Sequence, residues 1–171
     1  MGPHYDQLAP AIQRFHRLSG QHTLHGQVQT AAPESPLAQW LARLLGTPLQ
    51  ETAGPIHFIL NARPSREVWT RRFPTHTMTS TLSLRGPPVE EHLGPARLRF
   101  ALAESGGGLT MTLHSLRFLG LPCPRWLMPR IVAQESGDDT TLHFQVQASL
   151  PLIGVVASYR GSLTVPLEVM L

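Results

Sequence analysis

From Ile56 to Val165 the chain alternates apolar and polar side chains with a period of two, run after run. That period marks strands with one face in a core and one in water, because successive side chains of a strand point to opposite faces. Ile56, Phe58 and Leu60 alternate first. Residues 66–73 follow, with Trp69, Arg71 and Phe73 on one face. Met78, Leu82 and Leu84 then alternate against Thr77, Thr79, Thr81 and Ser83, and Leu98, Phe100 and Leu102 against Arg97 and Arg99. Leu109, Met111 and Leu113 keep the period until Leu116 and Phe118 fall out of phase, a slip that a bulge near His114-Ser115 explains. Leu142, Phe144, Val146 and Ala148 make a clean inner face. The last run carries Ile153, Val155, Ala157, Tyr159, Gly161, Leu163 and Val165. Turn-forming stretches separate the runs: Asn61 to Ser65, Gly86-Pro87-Pro88, Gly94-Pro95, Gly106-Gly107-Gly108 and Gly137-Asp138-Asp139.

Ahead of these strands the period is helical. Tyr5, Leu8, Ile12 and Phe15 recur at one-face helical spacing and predict a helix over about 5–18, started or kinked at Pro10 and stopped by Gly20. A short strand follows at 22–29. A second helix is predicted over 36–46, capped by Ser35, opened by Pro36 and ended by Gly46. Its apolar face is Leu37, Trp40, Leu41, Leu44 and Leu45. Strands with one wet face form antiparallel sheets packed on one side, and this many of them favour curling over a flat sheet. The expected fold is α+β, a single domain over residues 1–171. It is a curved antiparallel β-sheet or barrel of about seven to nine strands, its β-rich part over about 55–166. The two N-terminal helices are expected to cover one mouth or face.

Composition narrows the chemistry. All 14 basic residues are arginine. A chain without lysine has no Schiff-base lysine and no phosphate-loop lysine. The arginines are spread from Arg14 to Arg160 rather than gathered on one basic face, which argues against a nucleic-acid partner. The single cysteine, Cys123, can form neither an internal disulfide nor a thiolate metal cluster, and is expected to be a small buried hydrophobe. Nine histidines invite a metal hypothesis, but His16, His22 and His25 lack the spacing of a helical ligand pair, so no metal and no cofactor is expected. Glu104-Ser-Gly-Gly-Gly108 joins two strands with no helix after it, and is no phosphate cradle. The N-terminus lacks the order of a secretory signal, and no apolar run is long enough to span a bilayer. A cytoplasmic location with no membrane span is expected.

The candidate site centres on Arg71. A charge between two aromatics on one strand face suits a ligand cavity, with the guanidinium fixing an anionic or carbonyl head group. The plainer reading pairs Arg71 with Glu91, on the next hairpin, to close a core. Tyr159, on the last inner face, suits an acid or a hydrogen-bond donor, or else a core aromatic. His16 lies beside the apolar face of the first helix. Gly120 to Pro124, with Trp126 and Pro129, is a rigid apolar-tipped segment that suits a lid, a membrane-touching edge or a sheet corner.

Arg14-Phe15-His16 with Gly20, Trp69-Thr70-Arg71-Arg72-Phe73, Glu91-His92-Leu93-Gly94, Arg117-Phe118-Leu119-Gly120-Leu121-Pro122-Cys123-Pro124, Pro151-Leu152-Ile153-Gly154 and Tyr159-Arg160-Gly161 occur in that order over nearly the whole chain. Together they resemble a bacterial family, domain of unknown function 4166. The resemblance implies a domain that stands alone or lies fused behind a Rossmann-type reductase, and it implies no reaction. Cys123 departs from the family's apolar residue there, which speaks against a shared nucleophile.

The leading expectation is a module binding a small apolar or lipid-like ligand, through Trp69, Arg71, Phe73, Glu91, Arg117, Tyr159 and His16. An accessory domain serving a reductase-type partner, with a filled core, is the rival. An enzyme centred on Arg71, Glu91 and Tyr159 comes third, because no nucleophile–base pair is visible and no catalytic residue can be named.

Overall fold

Alternation extends further along the chain than its apolar residues announce. The computed structural model describes residues 5–167, apart from Arg85 and Pro87, so the turn expected at Gly86-Pro87-Pro88 lies partly outside the described residues. The strands are β1 (Gly20–Ala31), β2 (Thr52–Arg63), β3 (Arg66–Arg72), β4 (Thr77–Ser83), β5 (Val89–Leu93), β6 (Ala96–Ser105), β7 (Gly108–Phe118), β8 (Leu121–Pro122), β9 (Arg130–Gly137), β10 (Thr141–Leu150) and β11 (Gly154–Thr164). From β1 to β7 each pairs antiparallel with the next; β7 then pairs with β9, β9 with β10 and β10 with β11. The pairing of β1 with β11 closes the ring. The two-residue β8 hangs on the end of β7. The result is a closed up-and-down barrel of ten strands, more than the seven to nine expected.

Three strands depart from expectation, and each has a local cause. β1 begins at Gly20 and belongs fully to the barrel, although its inward residues include Gly26 and Thr30 alongside Leu24 and Val28. The β-rich part therefore starts before the second helix, not near residue 55. β5 and β9 were not expected as strands. β5 reads Val-Glu-Glu-His-Leu, and β9 carries Glu135 on its inward face. A strand that turns a carboxylate inward loses the contrast that periodicity detects.

The predicted bulge is present. Arg99 pairs with Ser115 and Phe100 with Leu113, so His114 is the extra residue. A second slip was not foreseen. Ala148 pairs with Ala157 and Ser149 with Val155, which leaves Val156 as the extra residue. Val156 is consequently the buried side chain at 1% exposure, where Val155 was expected inside.

The first helix is shorter than predicted, because Pro10 starts it rather than kinking it. A 3-10 turn at Tyr5–Gln7 precedes α1 (Pro10–Arg17), which buries Ala11, Ile12 and Phe15. α2 (Pro36–Leu45) has the predicted caps: Ser35 accepts a hydrogen bond from the Ala38 amide, and Gly46 closes the helix in the left-handed conformation.

The helices sit at opposite ends of the barrel and not over one face. The amides of Ala9 and Ala11 donate to Gly107 and Asp138 carbonyls in the β6–β7 and β9–β10 turns. Those turns lie at the end where β1 begins, so α1 forms the floor. α2 joins the end of β1 to the start of β2 and lies over the opposite end, the mouth. There Ser35 Oγ donates to the Ile153 carbonyl, and Gly94 of the β5–β6 turn sits directly against the helix. A Cβ on Gly94 would stand 2.9 Å from the Leu44 carbonyl oxygen, and its φ of +53° suits glycine as well.

The β1–β11 seam is equally close. A Cβ on Gly161 would fall 2.2 Å from the Gln27 carbonyl oxygen and 2.9 Å from the Phe144 ring. Gly161 is therefore no gap in the inner face; Phe144 covers it.

Candidate functional site

The inward faces enclose a cavity of about 580 Å³, lined mainly by aliphatic and aromatic side chains. This is within the range usual for small-molecule sites, roughly 300–1,000 Å³. It opens at the mouth between α2 and the segment from β8 to β9, where Leu37, Leu41 and Leu45 face Leu121, Pro122 and Leu127. A second, open concavity crosses the outside of β1, β10 and β11 around Gln27, Gln29, Gln145 and Arg160. These four residues are exposed to water.

β3 supplies the polar axis of the interior. Its inward residues run from floor to mouth as Glu67, Trp69 and Arg71, and Phe73 continues the line just past the strand. All four are buried. The spacing that places Trp69, Arg71 and Phe73 on one face holds.

Arg71 donates from Nη1 to Ser80 Oγ at 3.1 Å, across the β3–β4 pair. Its Nη2 stands 3.8 Å from Oε1 of Glu91, which lies on β5. That distance gives an ion pair without a hydrogen bond. The guanidinium carbon lies 5.1 Å from the centre of the Trp69 ring and 5.7 Å from that of Phe58, so two aromatic faces share its charge. Arg71 and Glu91 both line the cavity, as does Tyr159.

Tyr159 packs against Phe73 and Phe144 with ring centres 5.3 and 6.2 Å apart. Burial raises the pKa of its hydroxyl, with Arg71 opposing and Glu91 adding to the shift. The hydroxyl is therefore a neutral donor within electrostatic reach of both.

Nearer the floor a second polar group sits behind the aromatics. His16 Nε2 meets Glu135 Oε2 at 2.8 Å, with the two side chains 10% and 12% exposed. Burial opposes the imidazolium, but the charge and hydrogen bond of Glu135, helped by Glu67, hold the pKa of His16 above its ordinary value. Trp69 Nε1 donates to Glu67 Oε2 at 2.8 Å. Phe15, Phe58 and Trp69 stack edge-on with centres 5.4–5.8 Å apart beside this group, and Glu135 itself lines the cavity.

Of the residues singled out by sequence, the structure thus gathers Trp69, Arg71, Glu91 and Tyr159 around one space, while Phe73 packs on Tyr159 without lining the cavity. His16 lies below it. Arg117 is exposed on the outer face of β7, opposite Arg97 on β6, and is not a cavity residue. The bulge at His114 precedes it, and beyond that bulge Leu116 and Phe118 take the inward positions.

Sequence reading missed Glu67 and Glu135. Counting back by two from Trp69 would have found Glu67, and the inward place of Ser80 follows from the same count on β4. Cys123 also differs from expectation. It is half-buried at the rim of the cavity rather than in the core. Burial still raises its pKa, so the thiol stays protonated. Among the described residues no cluster of three His, Cys, Asp or Glu is placed to hold a metal ion.

A family model described as "Domain of unknown function (DUF4166)" matches residues 8–163. Among solved structures, a crystal structure of Rv2717c from M. tuberculosis superposes with a TM-score of 0.51 over 93% of this chain and 99% of that one, at 12% sequence identity. So distant a likeness speaks to the barrel fold alone. No curated protein matches the chain.

Proposed function

Because the chain belongs to the DUF4166 family, whose description names no activity, we propose from the site itself that the barrel binds a small apolar, lipid-like molecule bearing a carboxylic or carbonyl head. The observation that carries the reading is Arg71, a buried guanidinium at the wall of an apolar cavity, with its acid partner 3.8 Å away and beyond hydrogen-bond distance. A fully buried arginine is rare unless it is paired. Arg71 lines the cavity, and its Nη2 makes no hydrogen bond among the described residues. The apolar walls take the tail, Arg71 and Tyr159 donate to the head, and Glu91 accepts from it. A carboxylic acid that enters with its proton satisfies both signs at once. The cavity favours this reading over an accessory domain with a filled core.

A fluorescent fatty acid tests it. One equivalent is expected to bind the folded protein. Ala157→Phe, on the cavity wall, should abolish binding while leaving the thermal transition in place. Arg71→Met keeps the side-chain volume and should weaken the acid by about 1.5–3 kcal/mol, the usual worth of a hydrogen bond to a charged group. The methyl ester of the same probe, which cannot donate to Glu91, should bind more weakly than the acid. Failure of the probe to bind, or acid affinity unchanged by Arg71→Met, would overturn the reading.

A further inference from the structure

We propose that the barrel docks mouth-first on an anionic lipid surface. The inference rests on the outer surface of the mouth and stands without the ligand reading above.

α2 is where the pattern departs most from expectation. Its fully buried side chains are Ala38 and Ala42, packed with Val156 of β11. Leu37, Trp40 and Leu44, on the face expected to seal the core, are 51%, 54% and 41% exposed. Across the opening, Leu121 and Trp126 are 71% and 73% exposed. Leu152 in the β10–β11 turn, at the same end of the barrel, is fully exposed. Scattered single exposures need no explanation, but large apolar side chains gathered on the segments that ring one opening do. Leu37 and Leu121 are at once exposed and part of the cavity wall, so the apolar rim runs into the apolar interior without a break.

Charge decides between a membrane and other occupants. Arg43 lies on α2, Arg125 lies between β8 and β9, and Arg130 starts β9; all three are exposed. Arg97 and Arg117 are exposed on the mouth ends of β6 and β7. Against them stand Glu51 and Glu34, and Glu34 is occupied in accepting a hydrogen bond from the Val155 amide. At the other end of the barrel the acids Asp6, Glu104, Asp138 and Asp139 are matched by Arg14, Arg17, Arg63 and Arg66, so the positive excess lies at the mouth. Tryptophan at a rim, leucine beyond it and arginine around it is the arrangement that seats a protein at a lipid–water interface. An anionic surface attracts the arginines and lets Trp40 and Trp126 sink to headgroup depth.

Flotation with vesicles tests this. The protein should float with vesicles containing phosphatidylglycerol, less with phosphatidylcholine alone, and less again at high salt. Arg43→Gln with Arg125→Gln should lower the partition coefficient by about fivefold per arginine. Trp40→Ser with Trp126→Ser should lower it by about tenfold or more. Neither tryptophan lines the cavity, so binding of a soluble probe should be unchanged in that variant. The Ala157→Phe variant should float like the parent, which separates docking from ligand binding. Absence of flotation with anionic vesicles overturns the proposal, as does flotation indifferent to the tryptophan substitutions. A dimer in sedimentation velocity that those substitutions dissolve also overturns it, and assigns the rim to a second copy of the chain.

Discussion

The floor and the mouth of this barrel are closed by two helices of similar length and similar sequence pattern, with opposite results. α1 drives Ile12 and Phe15 into the interior until they are 0% and 3% exposed. Its first amides are tied to the turns beneath it, and His16 locks to Glu135 beside it. α2 instead rests on two alanines and holds its large side chains at the edge of an opening. An amphipathic stripe thus says that a helix has an apolar neighbour. It does not say whether that neighbour is a core, a cavity or something outside the chain. What separates the two helices is the size of the residues facing the barrel wall. Alanines let α2 lie close against β11, which lifts its leucines toward the rim.

If the floor is core and the mouth is surface, substitutions at the two ends must differ in cost. Phe15→Ala is expected to destabilise by about 3–5 kcal/mol, the usual range for emptying a buried aromatic site. Trp40→Ala, despite removing a larger side chain, should stay within about 0.5 kcal/mol. Chemical denaturation of the two variants measures both, and equal losses would mean that the mouth is packed like the floor. At mid-height, Arg71→Ala is expected to cost about 3 kcal/mol, the lower end for breaking a buried pair, because the partners stand 3.8 Å apart. A double-mutant cycle with Glu91→Ala should recover part of that loss, and zero coupling would dissolve the pair.

The smallest effect depends on pH. His16 has a folded pKa raised above 6.5. The stabilisation from its pair with Glu135 is therefore fully present below the unfolded value and is lost as pH rises through the folded one. Melting temperature should decline over that interval on the alkaline side of 6.5 in the parent. His16→Gln should flatten the decline, and a slope unchanged by the substitution would place the titration elsewhere.

Much of this was readable from residues alone, and the rest fails for one physical reason. The inner line Trp69, Arg71, Phe73 follows from the strand period, the ends of α2 from Ser35 and Gly46, and the bulge from the phase slip at His114. What escaped is β5 and β9, and those are the strands that bring in Glu91 and Glu135. A strand that buries a carboxylate beside a cation is polar on both faces, so the feature that makes it chemically interesting removes it from a hydrophobicity pattern. Glu91 was found as a partner without its strand. Glu135 was not found, because nothing along the chain links it to His16. Neither could the pattern tell that α2 would bury its alanines, since the choice depends on how near β11 lets the helix come.

Every strand pairing but one joins near neighbours along the chain, so hairpins assemble locally and quickly, and only the contact of β1 with β11 must close across nearly the whole sequence. That seam is expected to be the last part to form and the first to part. While it is open, two long strands present unpaired backbone to any other copy, the commonest route to edge-to-edge aggregation. Gly161 sits on that line with no room for a methyl group. The practical consequence is a kinetic one: Gly161→Ala is a change that would show itself less as lost function than as lost soluble protein, with chains trapped before the ring can shut.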